Sequence, residues 1–143
     1  MAWFEKWFDS PYYPILYAYR NEEEAEAFVS KLVEFLQIDS DSHCLDLACG
    51  RGRHARFLGR YAGKVIGLDL SPASIQEASA ANQAKHVQFY VADMRTFALA
   101  EKFDFIFNLF TSFGYFEKQE ENMAVLHQIK RHLAKEGTFV LDY

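Results

Sequence analysis

The sequence lacks any apolar run approaching the roughly 20 residues that a membrane-spanning helix needs. Its first residues include acidic Glu5 and Asp9 and do not follow the basic-then-apolar order of a secretory signal. Cysteine is scarce: Cys44 and Cys49 have no second pair, which disfavours a disulfide framework or a zinc site. These absences predict a cytoplasmic protein without a membrane segment.

Basic residues are also outnumbered, with 15 Lys and Arg against 20 Asp and Glu and a net charge of -5. This balance disfavours a broad nucleic-acid-binding face. Repeats, low-complexity tracts and linkers are absent, and half of the residues are apolar. The 143 residues therefore predict one folded domain with a packed core.

Short apolar runs alternate with helical segments along the chain. Strands are predicted over 43–48, 64–70, 87–93, 103–110 and 138–143. Helices are predicted over 21–38, 53–61, 71–82 and 117–135, with the stretch 94–101 irregular or helical. This alternation predicts a Rossmann-like, doubly wound α/β fold: a mostly parallel sheet with helices on both faces.

Three local signals support the helix boundaries. Asn21 and Glu24 resemble a capping box, and Ser71 followed by Pro72 is a typical helix start. In the last helix one stripe of apolar residues is expected to face the core, and Gly137 is expected to follow the helix end. The stripe comprises Met123, Leu126, Ile129 and Leu133.

A glycine-bearing turn follows the first predicted strand, in the stretch Leu45-Asp46-Leu47-Ala48-Cys49-Gly50-Arg51-Gly52. Such a turn lets a ligand lie against the backbone and against the free N–H groups of the next helix. Asp69 comes 17 positions after Gly52, at the end of the second strand, where a carboxylate can accept ribose hydroxyls. The pattern predicts a nucleoside-containing ligand.

The segments D-L-A-C-G-R-G, G-L-D-L-S and V-A-D-M resemble the successive motifs of class I S-adenosylmethionine (SAM)-dependent methyltransferases, of small-molecule type. The resemblance runs from Leu45 to the end of the chain. It implies methyl transfer from SAM to a small-molecule acceptor by in-line displacement. Many members have glycine where this chain has Ala48, a residue small enough for the turn to survive.

The predicted cofactor-binding residues all lie at or just after strand ends. They are Asp46, Ala48, Cys49, Gly50, Gly52, Arg53, Asp69, Leu70, Asp93, Met94, Asn108 and Leu109. The resemblance places the first turn around the methionine part, Asp69 and Leu70 at the ribose and adenine, and Asp93 and Met94 at the adenine edge. Asn108 and Leu109 would line the methyl-donor end. Cys49 is interpreted as a small residue beside the ligand.

Several side chains near the turn have competing interpretations. Arg53 either holds the cofactor carboxylate or is solvated, whereas Arg56 and Arg60 are expected on a solvated outer face. His54 is expected to hydrogen-bond locally, although with Asn108 and Tyr115 it is a candidate general base. His127 and His132 do not share a helix face, so no metal site is predicted.

Aromatic residues form two clusters of interest. The strand residues Phe103, Phe105 and Phe107 are expected in the core. Residues 1–38 are expected to form an aromatic lid and a helix, and residues 39–143 the Rossmann-like core. The remaining aromatic residues either line a substrate pocket or form an apolar plug that seals the sheet. They are Tyr12, Tyr13, Tyr17, Tyr19, Phe110, Phe113, Tyr115 and Phe116.

Three alternatives to a small-molecule methyltransferase stay open. An NAD-dependent dehydrogenase would favour G-x-G-x-x-G, which the chain does not have; a nucleic-acid methyltransferase would favour N-P-P-Y after the fourth strand, where the chain has Asn108-Leu109-Phe110-Thr111. The third is a SAM-binding module without turnover. Five predicted strands instead of seven suggest a fold truncated after the fifth strand, with an edge that could pair in a homo-oligomer.

Overall fold

Five parallel strands form one sheet in the computed structural model, which describes residues 22–109 and 118–142. The strands are β1 (His43–Leu47), β2 (Lys64–Asp69), β3 (Val87–Val91), β4 (Phe103–Asn108) and β5 (Leu133–Leu141). The helices are α1 (Glu22–Leu36), α2 (Arg53–Leu58), α3 (Pro72–Ala81) and α4 (Gln119–His132). The alternation read from the sequence is confirmed.

The strand order is β3-β2-β1-β4-β5, so the chain builds outward from β1 on one side and then on the other. Leu47 of β1 lies opposite Leu68 of β2 and Asn108 of β4. The reversal of strand order between β1 and β4 opens a crevice at their carboxyl ends, which is where doubly wound sheets bind ligands. The predicted Rossmann-like fold is confirmed.

Two hydrophobic clusters cover the two faces of the sheet. One contains Val29 of α1, Phe57 of α2 and Ala78 of α3, and the other contains Val125 and Ile129 of α4. Alternate residues of β1 and β2 join opposite clusters, as strands buried on both faces require. Helices therefore lie on both faces of the sheet, as expected.

The strand aromatics are core residues, as predicted. Phe103 and Phe107 are fully buried, and Phe105 packs half-buried against the first cluster. The predictions for Asn21, for the tyrosines before α1 and for residues 110–117 fall outside the described residues.

The predicted end of the last helix is wrong. The sequence pattern predicts a helix that continues to Lys135, but α4 ends at His132 and Leu133 already pairs with Phe103 of β4. Gly137 lies inside β5, where a β-carbon would approach the Phe103 carbonyl oxygen to 3.0 Å. Pairing with β4 therefore overrides the helical pattern of this segment.

The apolar stripe predicted for this helix is also partly wrong. Met123 and Leu126 are 45% and 38% exposed, while Val125, Ile129 and His132 are buried. The buried residues are spaced by four and three positions, so they form one face that is rotated from the predicted one. No helix among the described residues combines the length and apolarity that a membrane crossing requires.

Candidate functional site

The turn after β1 places three residues in the left-handed backbone region. The φ angles are 58° at Ala48, 58° at Gly50 and 79° at Gly52. The backbone N–H of Cys49 donates to the Leu68 carbonyl at 2.9 Å, which fixes the turn to the neighbouring strand. The turn thus survives with alanine at position 48, at the steric cost that a β-carbon brings in this region.

Gly50 and Gly52 have different roles in this turn. A β-carbon at Gly50 would meet no other atom within 4 Å, so the backbone there borders open space. A β-carbon at Gly52 would lie 2.7 Å from the Phe89 ring and 2.9 Å from Ala78. Gly50 therefore leaves room for a ligand, and Gly52 lets the start of α2 pack against β3 and α3.

Asp69 holds this turn from the end of β2. Its Oδ2 accepts a hydrogen bond from the Gly50 N–H at 2.8 Å, and its Oδ1 accepts from the Ser71 N–H at 3.0 Å. Ser71 also caps α3 by accepting from the Ser74 N–H at 3.1 Å, as its sequence position indicated. The buried carboxylate is thus fixed in orientation beside the open space at Gly50.

Asp46 is a second buried acid in the same crevice and is only 3% exposed. Burial, followed by the charge of Asp69, raises the pKa of Asp46 to about 8. Removal from water and the neighbouring carboxylate both disfavour the ionised form. A cationic ligand group at this point would reverse that effect, so the pair matches the ammonium group of an amino acid.

Cys49 points into the protein. Its sulfur would lie 2.9 Å from a β-carbon at Gly67 on β2, within the first hydrophobic cluster. Burial, followed by the charges of Asp46 and Asp69, raises the pKa of the Cys49 thiol well above its ordinary value. A neutral thiol is a poor nucleophile. The geometry supports a small packing residue in the turn.

Asn108 ends β4 beside the turn and is 1% exposed. Its Nδ2 donates to the Leu47 carbonyl at 3.1 Å, while its Oδ1 is buried without a hydrogen-bond partner in the described part of the chain. A buried acceptor without a donor is costly. The oxygen is thus an acceptor at the β1–β4 crevice that a polar ligand group would satisfy. Leu109, the next residue, is buried in the first cluster.

Asp93 lies beyond the end of β3 and forms a hydrogen-bonded ion pair with Arg95. The Arg95 Nε lies 2.9 Å from Asp93 Oδ1, and its Nη2 lies 2.6 Å from Oδ2. Burial alone would raise the pKa of Asp93, but the Arg95 hydrogen bonds and charge lower it below its usual value. Leu70 and Met94 are half-buried against the second cluster nearby.

Arg95 was not among the predicted site residues. Its signal in the sequence is a basic residue two positions after an acid that follows a strand, a spacing that a turn can close into an ion pair. That signal is weak because the conformation of residues 92–102 is irregular. Only the structure shows that the two side chains meet.

The arginines after the turn pair with acids. Arg56 lies 3.3 Å from Glu22, and Arg60, which is 57% exposed, lies 3.0 Å from Glu26. These contacts fasten α2 and the turn after it to α1. The outer-face prediction is confirmed for Arg60 but wrong for Arg56, which is only 24% exposed and whose Nε is buried. Arg53 is half-buried, and its predicted contact with the cofactor carboxylate stays a prediction.

The histidines do not form a metal site. The His54 ring packs edge-on against Phe28 of α1 at 5.8 Å, His127 is exposed and His132 is buried. No cluster of three metal-binding side chains occurs among residues 22–109 and 118–142.

Comparison with known proteins agrees with this geometry. A family model described as a methyltransferase domain matches residues 44–137. A dTDP-3-amino-3,4,6-trideoxy-alpha-D-glucopyranose N,N-dimethyltransferase of Streptomyces venezuelae is 32% identical over 101 residues, which are 71% of this chain and 42% of that protein. A dTDP-4-amino-2,3,4,6-tetradeoxy-D-glucose N,N-dimethyltransferase of Saccharopolyspora spinosa is 37% identical over 99 residues, covering 68% and 39% of the two chains.

A solved structure shares the fold at a TM-score of 0.70. It is a SAM-bound amino pentose methyltransferase from Micromonospora echinaspora, 28% identical, and the match covers 85% of this chain and 50% of that one. The chain thus spans about half the length, or less, of these relatives.

Proposed function

The chain belongs to the class I SAM-dependent methyltransferase family, and from this premise we propose that it transfers a methyl group from SAM to a small-molecule acceptor. The transfer is a direct in-line displacement: the acceptor lone pair bonds to the methyl carbon as the carbon–sulfur bond breaks, S-adenosylhomocysteine leaves as the neutral thioether, and the proton of the methylated acceptor passes to solvent. The single observation that carries the proposal is the Asp69 carboxylate bound to the Gly50 N–H at the open face of a left-handed turn.

Each part of SAM finds matching chemistry in the crevice. The buried Asp46 suits the ammonium group, and Asp69 suits the ribose hydroxyls. The open backbone at Gly50 leaves space for the methionine chain, and Asp93 suits the adenine amino group. In the proposal Arg53 holds the carboxylate. The remaining predicted residues border the ligand through backbone or apolar contact: Ala48, Cys49, Gly52, Leu70, Met94 and Leu109.

Bound SAM supplies an electrophilic methyl group on a sulfonium. The protein then has to align the acceptor with that methyl group and exclude water. The orphaned Asn108 Oδ1, buried at the β1–β4 crevice, offers a hydrogen-bond acceptor at the proposed methyl-donor end. Asn108 has no titratable group and His54 packs against Phe28, so neither is assigned as a base.

The acceptor in this proposal is the amine of a nucleotide-linked amino sugar. Support comes from the two dimethyltransferases that act on dTDP-amino sugars and from the absence of an N-P-P-Y segment after β4. A neutral amine attacks the methyl group with its own lone pair, so the reaction needs no covalent intermediate with the protein. The competing function is a SAM-binding module that requires further chain for turnover.

Calorimetric titration tests the cofactor. We expect SAM to bind with micromolar affinity and NAD not to bind. Asp69→Asn should weaken SAM binding tenfold or more, the typical cost of a lost hydrogen bond to a charged group (about 1.5–3 kcal/mol). Asp104→Asn is a matched control, because Asp104 also accepts a backbone N–H, from His43 at 2.8 Å, but at the opposite end of the sheet. Equal losses in both variants would contradict the site.

Mass spectrometry tests the acceptor. The chain is incubated with SAM and a dTDP-amino sugar, with the corresponding dTDP-sugar lacking the amine as control. A mass gain of one or two methyl groups on the amino sugar alone supports the amine as acceptor. SAM binding without any methyl transfer would favour the binding module instead.

A further inference from the structure

Arg95 contacts Asp93 through three separate N–H groups. The backbone N–H of Arg95 donates to Oδ1 at 2.9 Å, Nε lies 2.9 Å from the same oxygen, and Nη2 lies 2.6 Å from Oδ2. Nε is also 3.1 Å from Oδ2, so its single hydrogen is shared between the two oxygens. The Asp93 carboxylate therefore has one orientation.

The same contacts limit what else Asp93 can bind. An ionised carboxylate offers about four acceptor positions. Oδ1 accepts from the backbone N–H and from Nε, and Oδ2 accepts from Nη2 and takes the longer share of the Nε hydrogen. What remains on Oδ2 accommodates a single further donor. One N–H of an adenine amino group fits this requirement, whereas a group without a donor hydrogen does not.

Arg95 also reaches the helix that follows β4. Its Nη1 lies 3.2 Å from the Glu121 carboxylate in the first turn of α4, and its carbonyl accepts from Gln128 Nε2 at 3.4 Å. The Arg95, Asp93 and Glu121 side chains are only 23%, 24% and 34% exposed. Partial burial reduces screening by water, so this network holds its geometry better than an exposed pair does.

We propose that Arg95 is a positioning residue that aims the one remaining acceptor position of Asp93 at the adenine amino group and so makes cofactor binding selective for an amino-purine. The proposal rests on the proposed function, since it assumes that Asp93 faces the adenine. Arg95 itself touches Asp93 and Glu121, and it acts on the ligand only through Asp93.

The test compares two ligands on the whole chain by calorimetry. One is S-adenosylhomocysteine, and the other is its analogue with hydrogen in place of the adenine amino group. We expect the wild-type chain to prefer S-adenosylhomocysteine by about tenfold or more, the usual value of a hydrogen bond to a charged group. In Arg95→Met the preference should fall to within about twofold. Arg60→Met, which removes an arginine paired with Glu26, should keep it.

If Arg95 had a merely structural role, Arg95→Met would lower the affinity for both ligands equally and leave the preference unchanged. That result would overturn the proposal. Arg95→Lys keeps the charge but not the two-nitrogen contact, so it should lose most of the preference while remaining folded. Asp93→Asn should abolish the preference, and adding Arg95→Met should cause no further loss.

Two outcomes separate this inference from the proposed function. If the wild-type chain binds both ligands equally, the Arg95 proposal is wrong and the cofactor assignment stands. If the wild-type chain binds neither these ligands nor SAM, the proposed function fails and this inference fails with it.

Discussion

The Asp69 Oδ2 atom accepts a hydrogen bond from the Gly50 backbone at 2.8 Å, across nineteen residues of chain. The residue proposed for the ribose and the turn proposed for the methionine chain are thus one connected unit. A change in the turn will therefore reach the ribose site, and a change at Asp69 will reach the turn.

Gly52→Ala and Gly50→Ala should differ in their effect on folding. Both put alanine at positive φ, which costs about 1–2 kcal/mol. At Gly52 the new methyl group also collides with Phe89 and Ala78, so we expect an extra loss of about 1–3 kcal/mol. Urea unfolding measures both variants. Equal unfolding free energies would contradict the close packing at Gly52. At Gly50 the methyl group instead enters the ligand space, so SAM affinity should fall.

Ala48→Gly should stabilise the protein by about 0.5–1 kcal/mol. Glycine relieves the strain of the φ of 58°, although the unfolded chain gains some entropy in return. The control is Ala55→Gly in α2, where the same change in a helix should cost about 1 kcal/mol or more. The urea midpoint should rise in Ala48→Gly and fall in Ala55→Gly, relative to the wild-type protein. A destabilised Ala48→Gly would show that the turn needs the methyl group.

The stability of the ligand-free protein should depend on Asp46. Its pKa is about 8 in the folded state against an ordinary value of 3.8, so between these values the unfolded chain releases a proton that the folded chain keeps. The free energy of unfolding therefore falls as the pH rises from about 4 to about 8 and levels off above. Asp46→Asn should flatten this slope.

Asp104→Asn is the control for that slope, because Asp104 accepts the His43 N–H far from the crevice. Urea unfolding at several pH values gives the comparison. An Asp46→Asn protein with the wild-type slope would show that another group is responsible.

His132→Ala should destabilise the protein by about 2–3 kcal/mol. The His132 Nε2 accepts the Leu99 N–H at 3.0 Å, so its Nδ1 carries the proton that is donated to the Gln128 carbonyl at 2.6 Å. Alanine leaves both backbone groups without this partner and removes the ring that packs 4.4 Å from Phe97. His127→Ala, on the exposed side of α4, should stay within about 0.5 kcal/mol. Similar losses would contradict the core role of His132.

The strands and the glycine turn could be predicted because their signals are local. Buried parallel strands require continuous apolar runs, and the turn requires residues that tolerate positive φ, so β1, Gly50 and Gly52 follow from the chain alone. The Ser71 cap is equally local, since its partner Ser74 is three residues away. Family resemblance then supplied the assignments to each part of SAM.

Two of the missed features depend on contacts between distant residues, and the third depends on an irregular local turn. The end of α4 is set by the pairing of Leu133 with Phe103, thirty residues earlier, which no helical pattern contains. The buried face of α4 includes His132 because Leu99 offers it an N–H, whereas the pattern favoured the exposed Met123. The Arg95–Asp93 pair depends on an irregular turn that sequence rules do not describe.

The hydrogen bond from the Asn108 amide to the Leu47 carbonyl joins two segments that leave the ribosome at different times. Leu47 and the adjoining turn leave the ribosome 61 residues before Asn108 does, which at about 5–20 residues per second is an interval of several seconds. Throughout that interval the edge of β1 that will pair with β4 has no partner strand. An unpaired apolar strand edge can pair with another chain, so the strand that carries the glycine turn is open to aggregation until β4 emerges.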